Sequence, residues 1–158
     1  VAFSPDGLKI AAALDDSTIK IYNRISADDP AIRILIGHRD WIRFLAFSPN
    51  GYYLVSGSDD CTIRVWDVSA DNLGQQTTEK LEERHSTWIR CVAISQSGDM
   101  IASASDDCTI RCWEVKAEKG TKTVAKYHTK SAVCSLAFSK DGKKLVTGNY
   151  LGEIQVWD

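Results

Sequence analysis

Paired carboxylates are the residues of this chain whose type and spacing first suggest chemistry: Asp15-Asp16, Asp59-Asp60 and Asp106-Asp107. Adjacent carboxyl groups can share general acid–base work. Three histidines (His38, His85, His128) and several serines supply the other members of a Ser-His-Asp triad. Cys108 and Cys112 have the look of a short metal-ligating pair.

The spacing argues against each of these readings. The pairs and the histidines return at fixed phases along the chain, as structural positions do and a single catalytic centre does not. A triad needs an exposed nucleophile and an oxyanion hole, and nothing marks either. If Cys108 and Cys112 lie on a strand, four residues span ~13 Å. Two thiolates bound to one zinc at ~2.3 Å each cannot be that far apart. Cys61 and Cys108 hold equivalent turn positions, a repeat feature. No Gly-rich phosphate loop ending in Lys-Ser or Lys-Thr is present. No catalytic residue, metal or cofactor is expected.

The recurring phase belongs to a fourfold repeat. Val1 to Asn23, Leu45 to Asp67, Val92 to Glu114 and Leu136 to Asp158 align without a gap, with starts 44, 47 and 44 residues apart. Each copy opens with a short apolar strand such as Leu45-Ala46-Phe47, then a turn such as Pro49-Asn50-Gly51. A second strand (Tyr53 to Ser58, Met100 to Ser105) runs into the Asp pair. A third follows, with Ile63 and Val65 on one face and Arg64 and Trp66 on the other, as period-2 alternation dictates. The stretches between copies (Ala31 to Ile36, Thr77 to Glu83, Lys122 to Tyr127) leave room for an outer strand, and the polar run Ser69 to Arg84 reads as loop plus outer strand. No segment has a helical period. Four strands every ~40–45 residues is the period of a propeller blade, and the fold class is all-β.

The repeat resembles the WD40 family. Val65-Trp66-Asp67 and Val156-Trp157-Asp158 carry its Trp-Asp dipeptide; Cys112-Trp113-Glu114 and Ile21-Tyr22-Asn23 are altered versions. Gly37-His38 matches its Gly-His dipeptide, altered to Arg84-His85 and Tyr127-His128. The resemblance implies one partial β-propeller over residues 1–158, and a buried hydrogen-bonded set in each blade: His38, Ser56, Asp60 and Trp66, then His85, Ser103, Asp107 and Trp113. The last copy keeps His128, Thr147 and Trp157 but has Leu151 at the Asp position and one extra residue after His128. The first has Asp16 and Tyr22, with Ala12 in place of the hydroxyl residue. Full networks are therefore expected only in the two middle blades. The wording His38-Arg39-Asp40-Trp41-Ile42-Arg43 and Ser56 to Asp67 also resembles sensor arrays of fungal NACHT-type signalling proteins. The Trp-Asp-x-Arg of ubiquitin-ligase receptors and the Phe-Arg-Arg-Gly of phosphoinositide-binding propellers are not found.

Two features exceed the scaffold. Trp41-Ile42-Arg43 and Trp88-Ile89-Arg90 recur just after the blade histidine. The resemblance implies a top face around the propeller channel that holds Trp41, Arg43 and Asp59, then Trp88, Arg90 and Asp106. Asp15, Cys134 and Tyr150 are the counterparts in the outer copies. Trp, Arg and carboxylates together are the composition of interface hot spots, the Asp being suited to clamp a partner's Lys or Arg. The alternative is that these tryptophans pack between blades. The second feature is a lysine-rich region, Lys116, Lys119, Lys122, Lys126, Lys130, Lys140, Lys143 and Lys144, against Glu118 and Asp141. It offers an alternative function, attraction of nucleic acid or an acidic partner through residues 116–144. A net charge of -2 gives no global pull toward either, and no stacking motif accompanies the lysines, so a solvated edge is the preferred reading.

Five cysteines, an odd number, suit a reduced compartment, cytosol or nucleus. No apolar run approaches a membrane span. The chain opens on Val1 inside a strand and stops at Trp157-Asp158 without an outer strand. Just under four blades leave raw sheet edges, which calls for the rest of a longer propeller or for a second copy. The expected function is a non-catalytic scaffold that binds a protein or peptide on the top face.

Overall fold

The computed structural model describes residues 1–23, 33–69, 78–80, 84–116 and 120–158. All regular structure among these residues is β. The first sheet contains β1 (Ala2–Phe3), β2 (Lys9–Ala13), β3 (Ile19–Asn23) and β4 (Arg33–Leu35). The second contains β5 (Ile42–Phe47), β6 (Tyr53–Ser58), β7 (Ile63–Asp67) and β8 (Thr78–Lys80). The third contains β9 (Ile89–Ile94), β10 (Met100–Ser105), β11 (Thr109–Lys116) and β12 (Gly120–His128). β13 (Val133–Phe138), β14 (Leu145–Asn149) and β15 (Ile154–Trp157) form a three-stranded fourth sheet. Each sheet is an antiparallel meander in chain order, and the architecture is a partial β-propeller. The outer strands expected between the repeats are β4, β8 and β12. Residues 31, 32, 77 and 81–83 of those windows, and most of the run 69–84, lie outside the described residues.

Two turn types recur. Between the first and second strands of each sheet, a glycine with positive φ donates its N–H to a serine carbonyl, as Gly51 does to Ser48. Between the second and third strands, the left-handed position is filled by Ser17, Cys61, Cys108 and Gly152. A Cβ makes that conformation unfavourable, so the three non-glycine residues are held there by the bonds around them. Asp16, Asp60 and Asp107 supply such bonds by accepting from the backbone N–H two residues on.

The core is divided into layers between sheets. Ile19, Ile21 and Leu35 of the first sheet pack with Leu45, Leu54 and Trp66 of the second. Val55 and Ile63 of the second pack with Ile89, Val92, Ile101 and Trp113 of the third. Ala102, Ala104, Ile110 and Cys112 of the third pack with Val133 and Leu145 of the fourth. β7 therefore serves two layers. Trp66 faces back to the first sheet, while Ile63 and Val65 face forward to the third. The alternation read from the sequence becomes one face per neighbour.

Approach of the sheets is closest at Gly57. A Cβ there would meet Cγ2 of Ile89 at 2.7 Å and Cγ1 of Val92 at 3.2 Å. Its counterpart in the fourth sheet, Gly148, would meet nothing within 4 Å. The same substitution should thus read out the packing of one layer. Gly57→Ala is expected to destabilise the fold by about 1–3 kcal/mol in urea denaturation, the usual cost of overpacking. Gly148→Ala should leave the midpoint unchanged or slightly higher, since it also removes a glycine from a strand. Equal effects at the two sites would show that the close approach at Gly57 carries no energetic weight.

Candidate functional site

Two hydrogen-bonded systems sit back to back at the turn between the second and third strands of each middle sheet. The inner one begins at the tryptophan. Trp66 Nε1 donates to Ser56 Oγ at 2.8 Å, and Ser56 Oγ lies 2.7 Å from His38 Nε2. His38 Nδ1 lies 2.8 Å from Asp60 Oδ2. The directions follow from the ends of this chain. An indole N–H can only donate, so the Ser56 hydroxyl passes its own proton to Nε2, and Nδ1–H donates to the carboxylate. Asp60 also accepts from the Arg39 N–H and from both the N–H and the hydroxyl of Thr62. Burial alone would raise the Asp60 pKa, but the hydrogen bonds from His38 and Thr62 outweigh it and hold the group well below the usual carboxylate range.

The third sheet repeats the arrangement with one change. His85 Nε2 lies 2.7 Å from Ser103 Oγ and Nδ1 lies 3.0 Å from Asp107 Oδ2. Burial against these bonds would raise Asp107, yet Thr109, the Ser86 N–H and His85 keep it lowered to about 2. Burial pushes the His85 pKa down, so the ring is neutral. Trp113 Nε1, however, has no hydrogen-bond partner. The expectation of a full network in this sheet is corrected. The Trp113 ring sits 6.4 Å from its histidine, against 6.0 Å for Trp66, and the indole N–H does not reach the serine.

The outer system is built by a β-bulge. Ile42 pairs with Ser58 and Phe44 with Gly57, so Arg43 is an extra residue in β5. Arg90 is the extra residue in β9, and Cys134 in β13. A bulge re-aims the side chain it carries. Arg43 Nε donates to Asp59 Oδ1 and Oδ2 at 3.0 and 2.9 Å, and its Nη2 to Oδ2 at 2.6 Å. The same guanidinium lies 4.8 Å from the Trp41 ring centroid. Arg90 bonds to both oxygens of Asp106 and lies 5.3 Å from the Trp88 ring centroid. The carboxylate bonds push both guanidinium pKa values up, keeping the arginines charged.

Neither tryptophan packs between sheets: Trp41 is 53% and Trp88 48% exposed. Each unit presents an open indole face and a guanidinium held by a carboxylate behind it. The Asp59 side chain is only 5% exposed against 37% for Arg43. The expectation that Asp59 and Asp106 would clamp a partner's cation is thereby corrected, because each is already engaged by its own arginine. Asp15 and Tyr150 are exposed at the corresponding turn positions, and Tyr150 makes a backbone bond to Ala132 as Asp59 does to Trp41 and Asp106 to Trp88. Among the described residues no group of His, Cys, Asp and Glu is arranged to hold a metal ion.

The family model for the WD domain, G-beta repeat, matches residues 1–23, 30–67, 76–114 and 121–158. The chain belongs to the WD40-repeat family. A search of curated proteins finds no match. The WD40 pattern also locates the departures in the outer blades. Trp157 Nε1 donates to Thr147 Oγ1 at 3.0 Å, but His128 is exposed and outside that set. Tyr127 instead packs against Trp157, ring centroids 4.9 Å apart and the planes tilted by 41°. In the position of the blade carboxylate, Leu151 is exposed, and Asn149 takes over the turn by accepting from the Leu151 and Glu153 N–H groups.

Two sets of site residues escaped sequence reading. Thr62 and Thr109 complete the inner networks, and a threonine stands two residues after the second Asp in three WD40 repeats (Thr18, Thr62, Thr109), a signal that was there to use. The bulges had no such signal. Of the lysines, Lys119 and Glu118 lie outside the described residues. Lys122 and Lys126 lie on β12, Lys130 precedes β13, and Lys140, Lys143 and Lys144 lie at the other end of β13. These six are exposed.

Acidification should unfold the WD40 staple in two stages. His85 titrates at 6.5 when free and lower when folded, so the unfolded chain takes up its proton first and stability falls as pH drops below 6.5. Asp107 titrates at 3.8 when free and about 2 when folded, so a second loss begins below pH 4 and is complete only below pH 2. Asp60 adds to the second stage with the same sign. Urea midpoints measured from pH 7 to pH 3 should show both stages, and His85→Gln should flatten the first while keeping the second. A wild-type midpoint that does not change between pH 7 and pH 5 would contradict the neutral His85.

Proposed function

We propose that this chain is a non-catalytic binding module whose top-face rim receives a peptide or partner domain. WD40 repeats generally mediate protein–protein interaction, which sets the class of ligand. The observation that carries the rim reading is the duplicated unit of half-exposed indole, stacked guanidinium and the carboxylate bonded to it in adjacent blades. Tryptophan and arginine are the side chains that most often dominate interface energies. Here both are held in place before any partner arrives, so little side-chain freedom is lost on binding. Trp41, Arg43, Trp88 and Arg90 make direct contact in this proposal, with Asp15 and Tyr150 at the flanks. Asp59 and Asp106 act as positioning residues for the arginines.

The alternative of nucleic-acid or acidic-partner binding through residues 116–144 draws no support from the lysines: Lys122 and Lys126 lie on β12, and Lys130 and Lys140, Lys143 and Lys144 lie at opposite ends of β13. The five cysteines suit a site of action in the cytosol or nucleus. Beyond the rim, the open sheet faces of the first and last blades call for further blades, from the rest of a longer propeller or from a second copy.

A peptide-display selection against the purified chain tests the rim. Trp41→Ala, Trp88→Ala and Arg90→Ala should each weaken capture of selected peptides by about tenfold or more, roughly 1.4 kcal/mol. The melting temperatures of the two tryptophan variants should stay near that of the parent, as expected for exposed positions. Asp106→Asn should weaken capture less than Arg90→Ala. Variants that bind as well as the parent, or that lose binding only in step with melting temperature, would remove the rim as the binding site.

A further inference from the structure

The polar groups left over on the rim are donors. In both units the carboxylate takes Nε and Nη2 of its arginine, and among the described residues no group accepts from either Nη1. The acceptors are already engaged. Asp59 and Asp106 are held by the arginines, and the Trp41 and Trp88 carbonyls accept from the Asp59 and Asp106 N–H groups. A ligand on this surface must bring acceptors, and any N–H it turns toward the rim goes unpaired.

The same surface is balanced in charge and lined with rings. Arg43 is offset by Asp59 and Arg90 by Asp106. The Arg90 charge acts on Arg43, and Asp59 and Tyr150 act on Arg90, so the units of successive blades adjoin. The fourth sheet has Ala132, Cys134 and Tyr150 where the third has Trp88, Arg90 and Asp106, and so adds neither a carboxylate nor a basic group. Trp41, Trp88 and Tyr150 set one exposed ring on each of three successive blades.

We propose that the ligand of the rim is an extended, uncharged, proline-containing segment of a partner protein. The inference rests on the rim reading and gives that site its ligand class. A polyproline II segment keeps its carbonyls free to accept from Nη1, has no N–H at its prolines, and can lay pyrrolidine rings on the indole faces. Aromatic-lined surfaces suit such segments, which are stiff before they bind. An acidic ligand would bring a second carboxylate to each guanidinium, against Asp59, Asp106 and the exposed Asp15. A basic ligand would meet the guanidinium first, Arg43 being the more exposed member of its pair.

Random-peptide selection against the purified chain, followed by binding titrations of the selected peptides, tests the class. The peptides should be enriched in proline and carry no net charge, and their affinity should change by less than about threefold over a salt range that screens surface charges. Replacing their prolines by alanine should weaken binding by about tenfold or more, through lost stiffness and added N–H groups. Asp106→Asn keeps the shape of its unit but leaves Arg90 uncompensated, so selection against that variant should turn to acidic peptides that the parent does not hold. Charged peptides that bind the parent in a salt-dependent way, and that still need Trp41 and Trp88, would overturn the ligand class and leave the rim in place. Neutral peptides without proline, or no turn to acidic peptides with Asp106→Asn, would do the same. Peptides indifferent to both Trp41→Ala and Trp88→Ala would overturn the rim and the ligand class together.

Discussion

A sheet with apolar side chains on both faces must be covered on both, and the rest of this molecule is arranged around that requirement. Alternation along β7 sends Trp66 backward and Ile63 with Val65 forward, so a single blade cannot bury its own core. Each blade is completed by its neighbours, and stability resides in the layers between sheets. A stack of this kind behaves as a linear series of nearest-neighbour contacts. An internal blade contributes to two layers and an end blade to one. The glycine at position 57, which lets two sheets approach, and the exposed isoleucine at 154 express the same rule in covered and uncovered form.

Within that stack the Asp pair separates two tasks that sit side by side in the chain. Asp60 and Asp107 turn inward, orient an imidazole and cap a turn through a threonine. Asp59 and Asp106 turn outward and hold an arginine. Neighbouring residues on a strand or turn point apart, so a single dipeptide serves both the interior and the rim. The bulges at Arg43 and Arg90 make this possible, since the extra residue is free of the pairing register. The rim can accordingly vary in side chain while the layers beneath keep theirs.

Much of this was legible in the residues. The fourfold phase, the turn types, the terminal aromatic of each copy and the membership of the inner network followed from spacing and from the family resemblance. Three things did not. The Arg43–Asp59 and Arg90–Asp106 pairs join residues sixteen positions apart across a bulge, and a bulge has no compositional mark here. The unpartnered Trp113 N–H depends on a small displacement of one ring. The replacement of His128 by a Tyr127–Trp157 ring contact accompanies one inserted residue, and which side chain faces inward is set by the pairing of β12 with β11. Each is a matter of where a side chain points, which identity and spacing alone leave open.

The sameness of the blades has a consequence for how the chain reaches its structure. Asp59 to Arg64 and Asp106 to Arg111 are the identical hexapeptide Asp-Asp-Cys-Thr-Ile-Arg. Each segment could form the hairpin of the other sheet with every backbone bond intact. A chain collapsing from both repeats at once can thus exchange strands between neighbours, a kinetic trap typical of repeat proteins. What separates correct from exchanged pairing is side-chain volume at a few sites, Val55 against Ala102, Gly57 against Ala104 and Val65 against Cys112. The small differences that look like drift between copies are then the labels by which each strand finds its own sheet.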